Sequence, residues 1–174
     1  MKIKSLTHTL ALLLIVQFTS SLQMNAQALK TPAPSPLQSI DQAFALSNIK
    51  IEYSRPSVKG RVVFGDLVPF GKIWRTGANS ATKITFGDDV KIEGVALKAG
   101  SYALYTIPNK DSWEILFYKD LTLGGNVAEY KAADEVIRVK GKVSASSSKV
   151  ETFTMNIADM TSTSANVELV WDMT

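Results

Sequence analysis

Apolar and polar residues alternate with period two through most of the chain beyond its N-terminal segment. Ile49, Ile51 and Tyr53, for example, alternate with Lys50 and Glu52. Comparable segments recur at intervals of roughly 8–12 residues, separated by residues that favour turns. They span residues 49–53, 82–86, 90–92, 101–107, 113–118, 136–143, 151–157 and 167–171. This pattern predicts an all-β fold, an antiparallel β-sandwich of about eight strands that is immunoglobulin-like or jelly-roll-like.

The segments between these strands give further expectations. Residues 108–111 (PNKD) predict a turn, and the serine-rich residues 144–149 predict the tip of a hairpin. Residues 126–134 (NVAEYKAAD) are the one stretch that we expect to form a helical turn or two, too short to add a layer. Trp113 and Trp171 fall within strand patterns, so we expect both in the core.

The N-terminal segment has the pattern of an export signal. Lys2 and Lys4 precede an apolar run over residues 10–18, which is shorter than the roughly 20 residues that a bilayer span requires. We expect cleavage before Gln27; cleavage before Leu29 is the alternative that fits the small-x-small rule better. The sequence contains no cysteine that a lipid could modify. The chain is therefore predicted to be exported to the periplasm or the extracellular space, an uncleaved membrane anchor being the alternative.

Cleavage before Gln27 would divide the sequence into three regions. Residues 1–26 are the predicted signal peptide. Residues 27–36 (QALKTPAPSP) are rich in proline and predict an extended tether. Residues 37–174 predict a single β-sandwich domain. A domain of about 150 residues buries roughly 68–70% of its unfolded surface, so its core can stabilise it without disulfides. We expect no transmembrane span after signal cleavage.

The predicted mature chain contains neither cysteine nor histidine, because His8 is the only histidine. This composition excludes Ser-His-Asp and Cys-His catalysis and removes the usual ligands of zinc, haem and iron–sulfur clusters. We therefore expect no metal and no cofactor, calcium beside Asp88 and Asp89 being only a weak alternative. Removing Lys2 and Lys4 lowers the formal charge from +3 to +1, which gives no electrostatic reason to expect nucleic acid as a partner.

The most unusual stretch of the sequence is residues 67–86, where large, charged and hydrogen-bonding side chains surround Gly77. Arginine suits a bidentate grip on carboxylate, sulfate or phosphate, and tryptophan suits stacking on a sugar or a guanidinium group. The candidate ligand-binding residues are Arg55, Arg61, Trp74, Arg75, Thr76 and Asn79. In the competing interpretation, Arg55 and Arg75 pair with Glu52 and Asp66 or donate to loop carbonyls, and only fasten a long connection. Long loops on sandwiches need such ties, and exposed charges are usually only solvated.

A hydrolase that uses carboxylates is the enzymatic alternative. Glu52 and Asp66 are the least implausible acid/base residues, but neither stands in a diagnostic motif. Residues 65–72 resemble a phosphate-binding loop with one residue too many between the glycines. No residue is therefore assigned a catalytic role, and the sequence favours a protein without enzymatic activity while leaving the question open.

Several stretches resemble the DUF2911 family, a domain of unknown function in exported proteins, mainly of Bacteroidota. The resemblance rests on residues 52–61 (EYSRPSVKGR), 64–79 (FGDLVPFGKIWRTGAN) and 99–108 (AGSYALYTIP), together with the Trp171-Asp172 pair. It covers essentially the whole predicted mature chain. It implies no known catalytic residue and therefore gives no side chain a catalytic role.

Two departures from the family pattern stand out. The family usually carries a Trp-Gly pair near Gly124–Gly125, where this sequence has no tryptophan. Members also tend to continue into another strand after the Trp-Asp pair, whereas this sequence ends at Thr174. How the strand edge beside residues 167–171 is covered is therefore open.

The leading hypothesis is an exported β-sandwich module, without enzymatic activity, whose Arg/Trp/Asn loop cluster binds a small polar or anionic ligand or an envelope protein. The alternatives are the carboxylate-based hydrolase and a purely structural envelope protein. The binding hypothesis and the structural hypothesis differ in the effect that they predict for loss of Arg75. A binding site predicts loss of affinity with the fold spared, and a structural clasp predicts a large loss of stability.

Overall fold

The computed structural model describes residues 31–174, so the predicted signal peptide and the first part of the tether lie outside the described residues. Residues from Ala33 onward form one compact unit. No helix within residues 31–174 is long and apolar enough to cross a membrane.

The strands are β1 (Leu37–Phe44), β2 (Ser47–Ser54), β3 (Ala78–Phe86), β4 (Val90–Ile92), β5 (Val95–Leu97), β6 (Gly100–Ile107), β7 (Ser112–Tyr118), β8 (Glu135–Lys142), β9 (Val150–Ala158) and β10 (Asn166–Asp172), with 3₁₀ turns at Val127–Glu129 and Ala132–Asp134.

Six strands form one antiparallel sheet in the order β1-β2-β3-β6-β7-β8. Its register places apolar residues of neighbouring strands directly opposite one another, as in the pairs Ile51–Ile84 and Leu104–Phe117. All four of these side chains are at most 3% exposed. The period-two pattern of the sequence thus becomes one continuous apolar face, because alternate residues of a strand point to the same side.

A second layer packs on this face. Strands β9 and β10 form a two-stranded ribbon, and Phe153, Met155 and Trp171 of the ribbon are buried in the same core as the sheet. The phenol oxygen of Tyr53 accepts a hydrogen bond from the main-chain N–H of Met155 at 2.8 Å, which ties β2 to β9. The predicted antiparallel β-sandwich is confirmed, with ten strands rather than about eight.

Two strands were not predicted, and one connection was assigned wrongly. Strand β1 has glutamines at two of its half-buried positions, so its sequence lacks apolar alternation, and β5 has only three residues. Residues 144–149 do not form a hairpin tip, because they connect β8 of the large sheet to β9 of the ribbon and these strands do not pair. Local sequence indicates that a chain turns, but pairing depends on distant partners.

The opposite face of the sheet has a smaller core of its own. Tyr105, Leu116 and Tyr118 are at most 1% exposed there. The chain between β7 and β8, including Leu123 and Tyr130, packs over them. This connection contains both 3₁₀ turns, which confirms the predicted helical turns in residues 126–134. Both faces of the sheet are therefore partly covered, by the ribbon on one side and by this connection on the other.

An aromatic cluster joins the two layers of the sandwich. Trp74 and Trp171 stack with ring centroids 5.9 Å apart and planes 18° apart. Phe64, Trp113 and Phe153 meet one or both of these rings edge-on, at centroid distances of 4.9–6.3 Å within the cluster. Offset stacks and edge contacts of this kind add to the stabilisation from buried apolar area. Trp113 and Trp171 occupy the core, as predicted.

We expect Trp171→Ala to lower the free energy of unfolding by about 3–5 kcal/mol, because it removes a fully buried ring that three aromatic side chains contact. Chemical denaturation measures the loss. Leu46→Ala is the control, because Leu46 is fully exposed and its loss should change stability by no more than about 0.5 kcal/mol. A loss below about 1 kcal/mol for Trp171→Ala would contradict the assigned role of the cluster.

Candidate functional site

The segment that carries the predicted site residues runs along the end of the large sheet. The N–H of Trp74 donates to the carbonyl of Thr106 at 2.8 Å, and the N–H of Thr106 donates back to Trp74 at 2.9 Å. The segment therefore alternates like a strand. Trp74 points into the aromatic cluster, while Ile73 packs with the smaller core on the opposite face. Arg75 has the same parity as Ile73, and its contacts below place it on that side.

A tight turn follows directly after Arg75. Thr76 has φ +54°, which is unusual for a β-branched residue, and Gly77 has φ +149°. A Cβ atom at Gly77 would lie 2.9 Å from the carbonyl oxygen of Ser54, so a larger residue does not fit. The hydroxyl of Thr76 donates to that of Thr106 at 3.2 Å, and the hydroxyl of Thr82 donates to the carbonyl of Thr76. All three threonines are buried, so these hydrogen bonds hold the turn in place.

Two of the predicted ligand-binding arginines donate hydrogen bonds to other parts of the protein. Arg55 donates from Nε to the carbonyl of Phe153 at 2.9 Å and from Nη2 to the hydroxyl of Thr154 at 2.7 Å. Arg61 donates to the carbonyls of Val58 and Ser57. Both arrangements match the competing interpretation, in which arginines fasten loops, and Arg55 in particular links β2 to the ribbon.

The other predicted residues of the cluster support the turn itself. The indole N–H of Trp74 donates to the carbonyl of Gly77 at 3.0 Å. Asn79, at φ +59°, donates from its amide to the carbonyl of Ser35 and to the hydroxyl of Ser54, both at 3.2 Å. Asparagine tolerates this left-handed conformation better than most residues. The structure thus brings Trp74, Thr76 and Asn79 together around one turn, but the indole and the guanidinium of Arg75 are not neighbours.

Arg75 differs from every other arginine among residues 31–174. Arg138 forms ion pairs with Glu114 and Glu135, Arg55 donates hydrogen bonds to strand β9, and Arg61 donates to carbonyls of its own loop. The Arg75 side chain makes no hydrogen bond and no ion pair with any residue in this range, although its Nε atom is buried. A buried donor without an acceptor costs about 1–3 kcal/mol, so the position calls for a functional explanation.

A glycine turn in the connection between β7 and β8 lies against this guanidinium group. A Cβ atom at Gly125 would lie 2.7 Å from Nη1 of Arg75 and 3.2 Å from the carbonyl oxygen of Asn79, so the main chain at Gly125 approaches Arg75 closely. Gly124 has φ +60°, and its carbonyl accepts a hydrogen bond from the hydroxyl of Tyr105 at 2.8 Å. The N–H groups of Gly124 and Gly125 donate to no acceptor within residues 31–174.

Sequence reasoning did not assign this turn to the site. Gly124 and Gly125 lie about 50 positions after Arg75 and have no chemically reactive side chains. The one available signal was the Gly-Gly pair itself, since adjacent glycines permit a close approach of the main chain to another group. Successive N–H groups in such a turn can form an anion-binding concavity. The site is therefore larger than the predicted loop cluster and includes the opposite connection.

Tyr105, whose phenol is close enough to Arg75 to sense its charge, is held in its neutral form. Burial raises the pKa of Tyr105 to about 12, with further upward contributions from Tyr118 and Asp120, and the positive charge of Arg75 acts in the opposite direction. Burial likewise raises the pKa of Tyr130, which stacks on Tyr118 with centroids 4.5 Å apart. Neutral phenols do not compensate a guanidinium charge, so the charge of Arg75 has no counterpart in this tyrosine cluster.

Two of the carboxylates considered for hydrolase or calcium chemistry form ion pairs with lysines. Glu52 forms ion pairs with Lys83 and Lys50, and its hydrogen bond to Lys83 lowers the pKa of the carboxyl. Asp89, considered for calcium, pairs with Lys98 and accepts a hydrogen bond from the main chain of Ala99. No group of three or more His, Cys, Asp or Glu side chains that could hold a metal occurs within residues 31–174.

We expect the stability of the protein to fall as pH rises from about 10 to 12, and Tyr105→Phe to make this fall smaller. The folded chain keeps the Tyr105 proton to about pH 12, whereas the unfolded chain loses it near pH 10, so this contribution is complete below pH 10 and is lost as pH rises through 12. Urea unfolding of both proteins between pH 8 and pH 12 measures the difference. At pH 8 the variant should lose about 1 kcal/mol with the hydrogen bond to Gly124. Identical pH slopes would contradict this prediction.

Comparison with known proteins gives a family but no characterised relative. No curated protein and no solved structure matches the chain. The family model described as "Protein of unknown function (DUF2911)" matches residues 35–174, which include all the elements of the fold and the whole candidate site. The match confirms the resemblance seen in the sequence. The chain belongs to the DUF2911 family.

Proposed function

We propose that this chain is an exported binding module, without enzymatic activity, that holds a small anion with Arg75. The observation that carries the proposal is the guanidinium group of Arg75, which is partly buried and has no hydrogen-bond acceptor or counter-ion within residues 31–174. Export is supported by the signal-like pattern of residues 1–26 and is part of the proposal.

The chemistry of the site favours an oxyanion. A guanidinium group offers five N–H donors in a planar fork, which matches two oxygens of a carboxylate, sulfate or phosphate. The turn that packs against Arg75 at Gly125 has two N–H groups, those of Gly124 and Gly125, without an acceptor within residues 31–174. An anion bound there would give the guanidinium of Arg75 acceptors and add charge-assisted hydrogen bonds, which are stronger than neutral ones.

A purely structural role fits Arg75 less well. An arginine that fastens a loop does so through hydrogen bonds, as Arg55 and Arg61 do here. Arg75 only packs against Gly125, and an uncharged side chain could fill that space without burying an unpaired donor. The absence of hydrogen bonds within residues 31–174 therefore favours a ligand over a clasp as the reason for an arginine at this position.

The first test is a thermal-shift and calorimetric screen of the mature protein against phosphate, sulfate, acetate, uronic acids and amino acids. An anion at a hundred times its dissociation constant should stabilise the fold by about 2.7 kcal/mol. This corresponds to a rise in melting temperature of roughly 5–10 °C for a domain of this size. Neutral sugars serve as ligands of similar size that lack the charge.

We expect Arg75→Ala to abolish anion binding and to leave the melting temperature within a few degrees of the parent. Arg61→Ala is the matched control, since it removes the same charge from a loop arginine and should retain affinity within about twofold. Gly125→Ala keeps the charge but places a methyl group 2.7 Å from Nη1, so it should weaken binding at least tenfold. Equal losses in Arg75→Ala and Arg61→Ala would indicate unspecific attraction and reject the proposal. A strongly lowered melting temperature for Arg75→Ala would instead identify a clasp.

A further inference from the structure

Strand β1 is an edge of the six-stranded sheet and pairs only with β2 among residues 31–174. Over its 8 residues it has none of the features that usually protect an edge from further pairing, namely lysine, arginine, proline or a bulge. Its one charged residue is Asp41. The opposite edge, β8, is protected by three exposed positive charges at alternate positions, Arg138, Lys140 and Lys142. Of these two edges, β1 is therefore the one that is open to another strand.

The hydrogen bonds at the two ends of β1 show which of its main-chain groups face outward. The N–H of Arg55 donates to the carbonyl of Pro36 at 3.0 Å, in register with the β1–β2 pairing, so the even-numbered residues of β1 face β2. The N–H of Gly87 donates to the carbonyl of Asn48 at 3.1 Å, so Asn48 faces β3 and its partner Ala43 faces away from β2. Both ends give the same alternation. The residues whose main-chain groups point to the free edge are Leu37, Ser39, Asp41 and Ala43.

A second copy of β1 is complementary to this edge. In a symmetric antiparallel pair, opposite residues lie on the same face and every pair occurs twice. The register that places Ile40 opposite Ile40 sets Ser39 opposite Asp41 and Leu37 opposite Ala43. These four residues have the outward main-chain groups, so each such pair exchanges N–H···O=C hydrogen bonds. The hydroxyl of Ser39 is then opposite the carboxylate of Asp41, which is a favourable cross-strand pair.

Neighbouring registers fit less well. A shift that places Asp41 opposite Asp41 sets two negative charges directly against each other. The equivalent shift in the other direction sets the apolar Leu37 opposite Asp41. A smaller shift sets outward-pointing main-chain groups opposite inward-pointing ones, so the hydrogen bonds cannot form. The register centred on Ile40 is therefore the one that the edge favours.

We infer that this chain forms a symmetric dimer in which β1 pairs with β1 of a second copy in the register centred on Ile40. The two large sheets become one continuous sheet, and the half-buried Ile40 side chains meet on the side of the sandwich core. Leu37, which is 72% exposed in the single chain, packs across from Ala43. Pairing through one edge buries less surface than a standard interface, so the dimer is weak and depends on concentration. It is independent of the anion site, because Arg75 and Gly125 lie outside β1.

The first test is sedimentation of residues 27–174 between about 1 and 500 μM, with amide exchange followed by NMR at both concentrations. We expect a shift from monomer to dimer, and the amides of Ser39, Asp41 and Ala43 should exchange at least fivefold more slowly at the higher concentration. The amides of Ile40 and Gln42, which already face β2, should not change. A monomer at every concentration would overturn the inference. Oligomers that grow beyond two copies would also overturn it, because they would indicate pairing of β1 with β8 instead.

Opposite charges at position 39 test the register. Ser39→Lys places a positive charge opposite Asp41 of the second copy and should strengthen the dimer at least fivefold, whereas Ser39→Glu should weaken it at least fivefold. The matched control is the same pair of substitutions at Ser101, an exposed serine of the interior strand β6, and should change the dissociation constant by less than twofold. Equal effects of the two charges at position 39 would show that Asp41 is not its partner, and the inferred register would be wrong.

Cross-linking gives a second, independent measurement, because the sequence contains no cysteine. Under mild oxidation Ile40→Cys should form a covalent dimer, since opposite residues in a non-hydrogen-bonded pair have Cα atoms about 4.5 Å apart, within disulfide range. Asp41→Cys is the control, because its two copies would be separated diagonally, beyond the roughly 7 Å limit, and should cross-link at least tenfold more slowly. Faster cross-linking at position 41 than at position 40 would overturn the register. If Ile40→Cys does not fold, the charge pair at Ser39 still decides the question.

Discussion

The contact between Trp74 and Trp171 is the interaction on which the arrangement of this fold depends. Trp171 belongs to the ribbon, and Trp74 belongs to the segment that pairs with β6 of the large sheet, so their stacked rings join the two layers. Phe153 of β9 meets both rings edge-on. Without disulfides, such apolar contact has to hold the layers together. The cluster also fixes which way the segment at Trp74 faces.

That orientation determines where Arg75 lies. Consecutive residues of an extended segment point to opposite sides, so burying Trp74 between the layers directs Arg75 away from the ribbon. There it meets the main chain at Gly125, in the connection that covers the smaller core. Packing Trp74 between the layers thus places Arg75 on the face of the sheet opposite the ribbon.

Period-two alternation was sufficient to predict the fold class and the inward residues Phe153 and Met155, because strand faces follow directly from sequence parity. It could also have separated Trp74 from Arg75, which are adjacent and therefore cannot share a face of an extended segment. The part of the site contributed by Gly125 could not be predicted, because a contact across about 50 positions depends on the tertiary fold. The connection from β8 to β9 was misassigned for the same reason, since turn residues do not specify which strands pair.

Stability alone would not favour an arginine at position 75. A partly buried side chain packed against Gly125 and beside neutral tyrosines needs only to fill space, and an apolar residue would do so without leaving Nε unpaired. An arginine with an unpaired buried donor costs free energy in the unliganded protein. Within residues 31–174 no acceptor meets the buried Nε of Arg75, and a bound anion would supply one. The unpaired guanidinium is therefore better explained by recognition than by folding.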